Sequence, residues 1–273
     1  MISSFIITFR ETLEAALIVG IVLSYLVKTR QTTYLRTVYA AIISGVVASI
    51  IGAVLFNSLA GGFTGRAEEI FEGVTMLIGA FLLTTMILWM LSQKHIASEL
   101  ENKVSLEINE AHKIGLFSLV FVSVLREGIE TVIFLGAANF ASADNNPVGL
   151  LAGIFAAILV GYGIFAGSMK MNLKKFFNAT SILLILFAAG LVAGGVHGLQ
   201  EAGILPEFVE HVWDVNPQVN QDGSYPLLHE KGYFGGLLHD LFGYRGDPSL
   251  MEVLGYLTYL ALAVVLWKNT ERH

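Results

Sequence analysis

The chain of 273 residues contains no cysteine, and charged residues make up only 14% of it. Without cysteine the protein has no disulfides, no thiolate metal ligands and no cysteine nucleophile. An ordinary soluble domain carries about a quarter charged residues, so this composition is unusual for one. The sequence also lacks a nucleotide-binding glycine loop, a serine–histidine–aspartate set and a zinc-binding motif. These absences give no support to catalysis by those groups or to energy from bound ATP.

Long apolar runs occupy most of the chain. Hydrophobic residues make up 55% of it, and the mean hydropathy is +0.68. A run of about 20 apolar residues is long enough to cross a bilayer as a helix. We therefore predict an all-α integral membrane protein with seven transmembrane helices. The predicted spans cover approximately residues 2–27, 36–60, 69–92, 114–140, 148–169, 177–201 and 250–268.

Basic residues are unevenly distributed among the predicted loops. The odd-numbered loops and the C-terminus carry 11 of them, and the even-numbered loops carry three. The 11 are Lys28, Arg30, Arg36, Lys94, Lys103, Lys113, Lys170, Lys174, Lys175, Lys268 and Arg272, and the three are Arg66, Lys231 and Arg245. The positive-inside rule then predicts an N-terminus outside and a cytoplasmic C-terminus. The N-terminus lacks a basic region and a small-residue cleavage site, so we expect the first span to be retained.

Two loops stand out by their composition. Residues 203–249 form the one long loop, which is acidic, contains four prolines and is extracellular in this topology. We predict that it is largely irregular, with a short helix at 206–213. The charged segment 92–113 is predicted to be cytoplasmic, with an interfacial helix.

Two short charged motifs interrupt the apolar runs. They are Arg10-Glu11-Thr12-Leu13-Glu14 in the first span and Arg126-Glu127-Gly128-Ile129-Glu130 in the fourth. A charge at the bilayer centre costs about 2.5–3.5 kcal/mol even on insertion scales, so buried carboxylates in a span indicate function. The alternative is a pair of buried salt bridges that join helices, although such pairs stabilise membrane and soluble cores only weakly.

The repetition of the motif predicts internal symmetry. Arg10 and Arg126 lie 116 residues apart, with three spans from one motif to the next. An odd number of spans between copies reverses the direction of the second copy. Residues 2–92 and 114–201 are therefore predicted to form a 3+3 inverted repeat within one permease domain, with residues 250–268 added as a seventh span. Inverted repeats place a substrate site near the bilayer midplane, between the halves.

The motif spacing suits a metal ion. In a helix, residues three apart share a face, so each motif presents two carboxylates to one point. Two such helices supply up to four carboxylates, namely Glu11, Glu14, Glu127 and Glu130. Oxygen ligands suit hard cations such as iron, manganese, magnesium or calcium. Each arginine lies four residues before the second glutamate, where it can hold the carboxylates until a cation arrives.

A second group of polar residues lies at the outer ends of two spans. Glu69 and Glu72 repeat the three-residue spacing in the third span. His197, Gln200 and Glu201 end the sixth span on the same side. We predict that these five residues form an outer entry site for the cation. The alternative is that the two third-span glutamates are ordinary first-turn acids that favour a helix N-terminus.

The sequence resembles the high-affinity iron permease family, which includes the ferric permeases of fungi and their bacterial iron-uptake relatives. The resemblance is carried by the two Arg-Glu-x-x-Glu motifs and by Glu69-x-x-Glu72. The last third of the chain is also similar to the prokaryotic members. The matching segments are Gln200-Glu201-Ala202-Gly203, Leu205-Pro206, Trp213-Asp214, Leu238-His239, Gly243-Tyr244 and Pro248-Ser249.

This resemblance implies a multi-pass transporter of the cell membrane, not an enzyme, that carries Fe3+ or Fe2+ into the cytoplasm. The four motif glutamates would be its iron ligands and the two motif arginines their partners. Iron would be the substrate, and we expect no organic cofactor and no nucleic-acid partner. Family members often work beside an oxidase or a periplasmic iron-binding protein, and the sequence leaves open whether this chain requires such a partner. The glycines at 190 and 194 suit packing within a protomer or in a homo-oligomer.

Three alternatives remain open at this stage. Carboxylates alone do not separate iron from another divalent cation such as Mn2+ or Pb2+, because selectivity depends on geometry and availability. A membrane oxidoreductase with a carboxylate-bridged iron would usually add a Glu-x-x-His pattern, which neither motif has. A subunit or sensor would bind iron without transporting it.

Overall fold

The computed structural model describes residues 2–92, 102–106, 113–142, 147–165, 173–220 and 224–272. Within these residues the protein is helical, with no β-strand. The helices are α1 (Ile2–Lys28), α2 (Leu35–Ala60), α3 (Arg66–Ser92), α4 (Lys113–Ser142), α5 (Pro147–Phe165), α6 (Leu173–Glu201), α7 (Tyr233–Phe242) and α8 (Leu250–Arg272). A short 3-10 helix, Thr32–Tyr34, precedes α2. The predicted all-α class is confirmed for this part of the chain.

Five of these helices are long and apolar enough to cross a membrane. The qualifying segments are Thr32–Ala60, Arg66–Met90, Pro147–Phe165, Asn178–Glu201 and Leu250–Thr270. Helices α1 and α4 are also long, with 27 and 30 residues, and each carries an arginine and two glutamates in its interior. None of the five prolines interrupts a helix, because Pro147 is the first residue of α5 and the others lie between α6 and α8. Proline is well tolerated in the first turn, where its missing N–H would be unpaired anyway.

The acidic loop between α6 and α8 contains a helix, but not where the sequence suggested. The prediction of a helix at 206–213 is wrong, since those residues are irregular. The helix is α7, and it ends at Gly243, whose φ of 66° is a left-handed conformation that favours glycine. Gly243 packs directly against the backbone of Gly190 in α6. Of the segment predicted to hold an interfacial helix, only residues 102–106 are described, and they are helical.

Helix α1 pairs with α5, and α2 pairs with α4. Helix α1 runs parallel to α5, with Thr8 donating a hydrogen bond to the Leu150 carbonyl at 3.1 Å and Gly20 lying against Phe165 further along. Helix α2 runs parallel to α4 in the same way, with Gly45 beside Val124 and Gly136 against Phe56. Glycine at these contacts lets the helix backbones approach closely.

Helices α3 and α6 pack against each other in antiparallel directions. Gly73 of α3 lies so close to α6 that a Cβ there would be 3.0 Å from the Gly195 carbonyl oxygen. Further along, Gly79 lies beside Leu191. An apolar cluster that includes Ile7, Leu83 and Phe134 joins α1, α3 and α4. The cluster fixes α1 and α4 side by side, which is what brings the two charged motifs together.

Candidate metal centre

Three glutamates from two helices converge in the interior of the protein. One carboxylate oxygen from each of Glu11, Glu14 and Glu127 lies within 4.8 Å of the other two. Glu11 and Glu127 are only 1% and 2% exposed, and Glu14 is also buried. It is the one group of three or more potential His, Asp or Glu ligands at such spacing in the part of the chain that the structure describes. Carboxylate groups held this close repel one another in a low-dielectric interior unless cations compensate them.

Within the first motif, the arginine binds both of its own glutamates. Arg10 is fully buried, and its Nη1 donates a hydrogen bond to Glu11 Oε1 at 2.9 Å. Its Nη2 lies 3.0 Å from Glu14 Oε1. That second contact is an ion pair without hydrogen-bond geometry, because Glu14 Oε1 has no hydrogen-bond partner among the described residues. The first motif is therefore buried, and its arginine forms ion pairs with both of its glutamates.

The second motif repeats this pairing in a more open setting. Arg126 donates to Glu127 Oε1 from Nη2 at 2.6 Å and from Nε at 3.0 Å. Its Nε also lies 3.5 Å from Glu130 Oε1. The Arg126 side chain is 43% exposed, in contrast to the fully enclosed Arg10. The two motifs are thus alike in their internal contacts and different in their access.

Several carboxylate oxygens at this centre have no hydrogen-bond partner. In the described part of the chain, Oε2 of Glu11, Glu127 and Glu130 is buried and accepts no hydrogen bond. Buried polar atoms in proteins are normally satisfied, and exceptions call for an explanation such as a functional ion. These three oxygens point to a site that can hold a hard cation, since such cations take several oxygen ligands.

Both arginines also contact one face of α3, which the sequence did not indicate. Arg10 Nη1 lies 2.6 Å from Met86 Sδ, and its Nη2 lies 3.8 Å from Met90 Sδ. The Arg126 guanidinium lies over the Trp89 ring, 5.1 Å from its centroid. In the sequence these residues are simply part of an apolar span, and nothing local predicts which helix they face.

A comparison with known families decides what kind of protein contains this centre. Residues 1–271 match the model of the family described as the iron permease FTR1 family. The chain belongs to this iron permease family. It is therefore a transporter and not an enzyme, and a multi-pass protein of the cell membrane, as the sequence predicted.

Individual relatives cover nearly the whole chain. The protein named "Ferrous iron permease EfeU" from Yersinia pestis is 34% identical over 271 residues, which cover 98% of this chain and 93% of the relative. The EfeU of Yersinia pseudotuberculosis is also 34% identical, over 96% of this chain and 90% of the relative. That of Escherichia coli O6:H1 is 32% identical, over 97% and 94%. No solved structure matches the chain.

The five residues predicted to form an outer entry site are divided among different environments in this permease. Gln200 is buried and has structural contacts, since its Oε1 accepts a hydrogen bond from Ser249 Oγ at 2.8 Å and its Nε2 donates to the Pro206 carbonyl at 3.4 Å. Glu69 and Glu72 lie at the start of α3, where Glu72 is close to Glu68 and Glu201.

The remaining two residues, His197 and Glu201, lie at a charged junction with the last helix. His197 Nε2 lies 3.3 Å from Glu201 Oε1, and His197 Nδ1 lies 3.0 Å from Glu252 Oε1. Arg245 donates to the other oxygen of Glu252 at 2.9 Å. Glu252 does not stand out in the sequence, because it lies in the first turn of an apolar helix, where an acid is ordinary.

The structure shows a polar cavity beside this junction. It has a volume of about 750 Å³, and we call it the outer vestibule. It is lined by Phe140, Ala141, His197, Glu207, Glu210, His211, Glu230, Lys231, Gly236, His239, Arg245, Asp247, Ser249 and Glu252. Partial burial, and next the nearby Glu230 carboxylate, raise the pKa of Asp247 above its ordinary value. The vestibule is thus an acidic concavity with two histidines that lie outside any predicted span.

Proposed function

We propose that this protein carries iron across the cell membrane into the cytoplasm, and that the four motif glutamates bind the ion on its way. The observation that carries this proposal is the convergence of Glu11, Glu14 and Glu127, with ligand oxygens within 4.8 Å of one another. Glu130 adds a fourth carboxylate from the same motif as Glu127 and has a buried oxygen without a hydrogen bond.

Ferrous iron is the form we expect to be transported. Carboxylate oxygens accept either oxidation state, so the ligands do not decide between them. The relatives that cover almost the whole chain are named ferrous iron permeases. The set of converging ligands contains three glutamates and no histidine. This composition argues against a carboxylate-bridged oxidase, whose iron site usually includes histidine.

We further propose that α1 and α4 cross the membrane together with the five apolar helices, giving seven spans with the N-terminus outside. The parallel contacts of α1 with α5 and of α2 with α4 support the inverted repeat. In this repeat α1, α2 and α3 correspond to α4, α5 and α6. Exchanging the two halves therefore turns the α1–α5 pair into the α4–α2 pair, and it maps the antiparallel α3–α6 pair onto itself. The matching glycine contacts at Gly20 and Gly136, also 116 residues apart, follow the same exchange.

In this topology the outer vestibule receives iron from outside. Its acids and histidines raise the local concentration of cations by electrostatic attraction. A narrow cavity lined in part by Ala138, Leu191 and Gly194 adjoins it and shares His239 and Arg245 with it. Three residues that line this narrow cavity also belong to the apolar cluster that joins α1, α3 and α4, namely Ala138, Phe187 and Leu191. The entry route is therefore built mainly from the acidic loop and only in part from the five residues predicted from the sequence.

The direct test is iron uptake into proteoliposomes that contain this protein alone. Radioactive Fe2+ and Fe3+ are supplied separately, and wild type is compared with Glu11→Gln/Glu127→Gln. We expect Fe2+ uptake in the wild type and none above empty liposomes in the double variant, because the substitution removes the ligand charge while keeping the side-chain volume. Uptake by the protein alone would also exclude an obligatory oxidase or iron-binding partner.

The matched control is Glu68→Gln, the same chemical change at an exposed acid in the first turn of α3. This variant should retain uptake. An excess of Mn2+ in the same assay measures how far another divalent cation competes. Uptake that persists in Glu11→Gln/Glu127→Gln would contradict the assignment of the central glutamates as the transport site.

A further inference from the structure

The ion pairs at the metal centre occupy one carboxylate oxygen of each glutamate that a cation would bind. Arg10 and Arg126 together contact Oε1 of all four motif glutamates, at 2.6–3.5 Å. A guanidinium does not lose its charge in a protein. A cation held by the same carboxylates would repel both arginines strongly in this buried setting. Each arginine therefore has to weaken its ion pairs when a cation binds, and it needs another partner within reach.

The structure provides such partners on α3. Met86, Trp89 and Met90 follow the i, i+3, i+4 spacing of a single helix face. Met86 and Met90 sulfurs contact the two terminal nitrogens of Arg10, and the Trp89 ring lies against the Arg126 guanidinium. One face of one helix thus touches both arginines, each at an atom group that also binds its glutamates.

The chemistry of these three side chains suits a temporary partner. A thioether sulfur is a weak hydrogen-bond acceptor, and an indole ring attracts a guanidinium through its π face. None of them carries a negative charge. A further carboxylate near the arginines would compete for a hard cation. These three side chains can hold an arginine without such competition.

We propose that Met86, Trp89 and Met90 form a neutral platform that holds Arg10 and Arg126 while the glutamates bind the cation. The three are positioning residues, because they act through the arginines and not as ligands. This inference rests on the proposed function, in which the four glutamates bind iron. These contacts already exist alongside the ion pairs. We expect them to tighten when a bound cation weakens the ion pairs, so the platform stabilises the cation-bound state more than the cation-free state.

The test is a double-mutant cycle between Trp89 and Arg126, measured as Fe2+ affinity by anaerobic calorimetry on the purified full-length protein in nanodiscs. We expect Trp89→Leu to weaken Fe2+ binding about fivefold, the size of a cation–π contact of about 1 kcal/mol. In an Arg126→Gln background the same substitution should change the affinity less than about twofold, since the two residues then share no interaction. Trp89→Phe, which keeps an aromatic face, should restore most of the affinity.

Matched controls separate this role from packing. Phe81→Leu removes an aromatic side chain from an exposed position of the same helix, and it should leave Fe2+ affinity unchanged. Met86→Leu/Met90→Leu removes both sulfurs at nearly constant volume and should weaken binding about threefold, the size of a weak hydrogen bond. Met76→Leu, at a buried α3 methionine beside Gly194, should have no effect.

The outcomes distinguish the two proposals. If the wild type binds Fe2+ but Trp89→Leu acts equally in both backgrounds, Trp89 contributes only packing and the platform is overturned. If the wild type does not bind Fe2+ at all, the proposed function itself fails. A loss that appears only when Arg126 is present supports the platform.

Discussion

The motifs on α1 and α4 share the same residue pattern and the same internal ion pairs, yet one is enclosed and the other is open. Arg10 is fully buried against α3, whereas the Arg126 side chain is 43% exposed. On α4, Val122 and Ile129 are exposed on the same face as Arg126. Two copies of one motif therefore have different roles in this conformation, the first as the closed part of the centre and the second as its accessible part.

This difference bears on the inverted repeat proposed above. An inverted repeat exchanges the environments of its halves during alternating access. Under that proposal, we expect the enclosed first motif and the open second motif to represent one of the two end states of such a cycle. Because a charged arginine is costly against lipid, we expect the open face at Arg126 to be in contact with water.

The largest expected contrast is in stability after the loss of each arginine. Arg10→Gln leaves Glu11 and Glu14 buried without their countercharge, a change that costs about 3–5 kcal/mol in buried ion pairs. Arg126→Gln should cost less, about 1–3 kcal/mol, because the Arg126 side chain is 43% exposed and water can replace part of its contact with the buried Glu127 carboxylate. Thermal unfolding of the purified, iron-free protein in detergent measures both. The exposed Arg36→Gln should change little, and equal losses for Arg10 and Arg126 would contradict the contrast.

We expect a smaller difference in stability when the glycine contacts of the two parallel helix pairs, α1–α5 and α2–α4, are each disturbed. An added Cβ at Gly153 would meet the backbone of α1, at 2.9 Å from the Phe9 nitrogen. At Gly45 it would meet the Val124 side chain, at 2.9 Å from Cγ1. Gly153→Ala should therefore destabilise by about 1–3 kcal/mol, as overpacking does. Gly45→Ala should cost less, because a side chain yields more easily than a backbone and alanine favours the helix.

The same unfolding assay contains the control for this pair. Gly52 has no neighbouring atom within 4 Å of an added Cβ, so Gly52→Ala should be neutral or slightly stabilising. A Gly45→Ala loss as large as that of Gly153→Ala would show that the α2–α4 contact is as rigid as the α1–α5 contact.

The third contrast concerns access to water. The chain has no cysteine, so a single introduced thiol reports on one position. Ile129 and Leu13 occupy matching positions beside Glu130 and Glu14, but Ile129 is exposed and Leu13 is buried. We expect Ile129→Cys to react with a membrane-impermeant thiol reagent and Leu13→Cys to remain unlabelled. Failure of Ile129→Cys to react would mean that lipid or another chain covers this face.

Much of the fold was predictable from the sequence. The starts and ends of α2, α3 and α8 agree with the predicted spans to within a few residues, because long apolar runs bounded by polar turns have few alternatives in a membrane. The ion pairs between each motif arginine and its glutamates were also predictable from their spacing along one helix. That the four glutamates bind a metal ion stays a prediction. The helix in the acidic loop was misplaced, because proline and acidic residues mark an irregular loop without showing which part of it is helical.

The sequence by itself determined the apolar helices, the two motifs and the pairing of each arginine with glutamates four residues along its own helix. These features depend on local spacing and composition. Only the tertiary structure decided that Arg10 is enclosed and Arg126 open, that Gln200 holds Ser249, and that one face of α3 contacts both arginines. Such contacts join segments far apart in the chain, and they depend on how glycine-lined helices pack, which local periodicity does not specify.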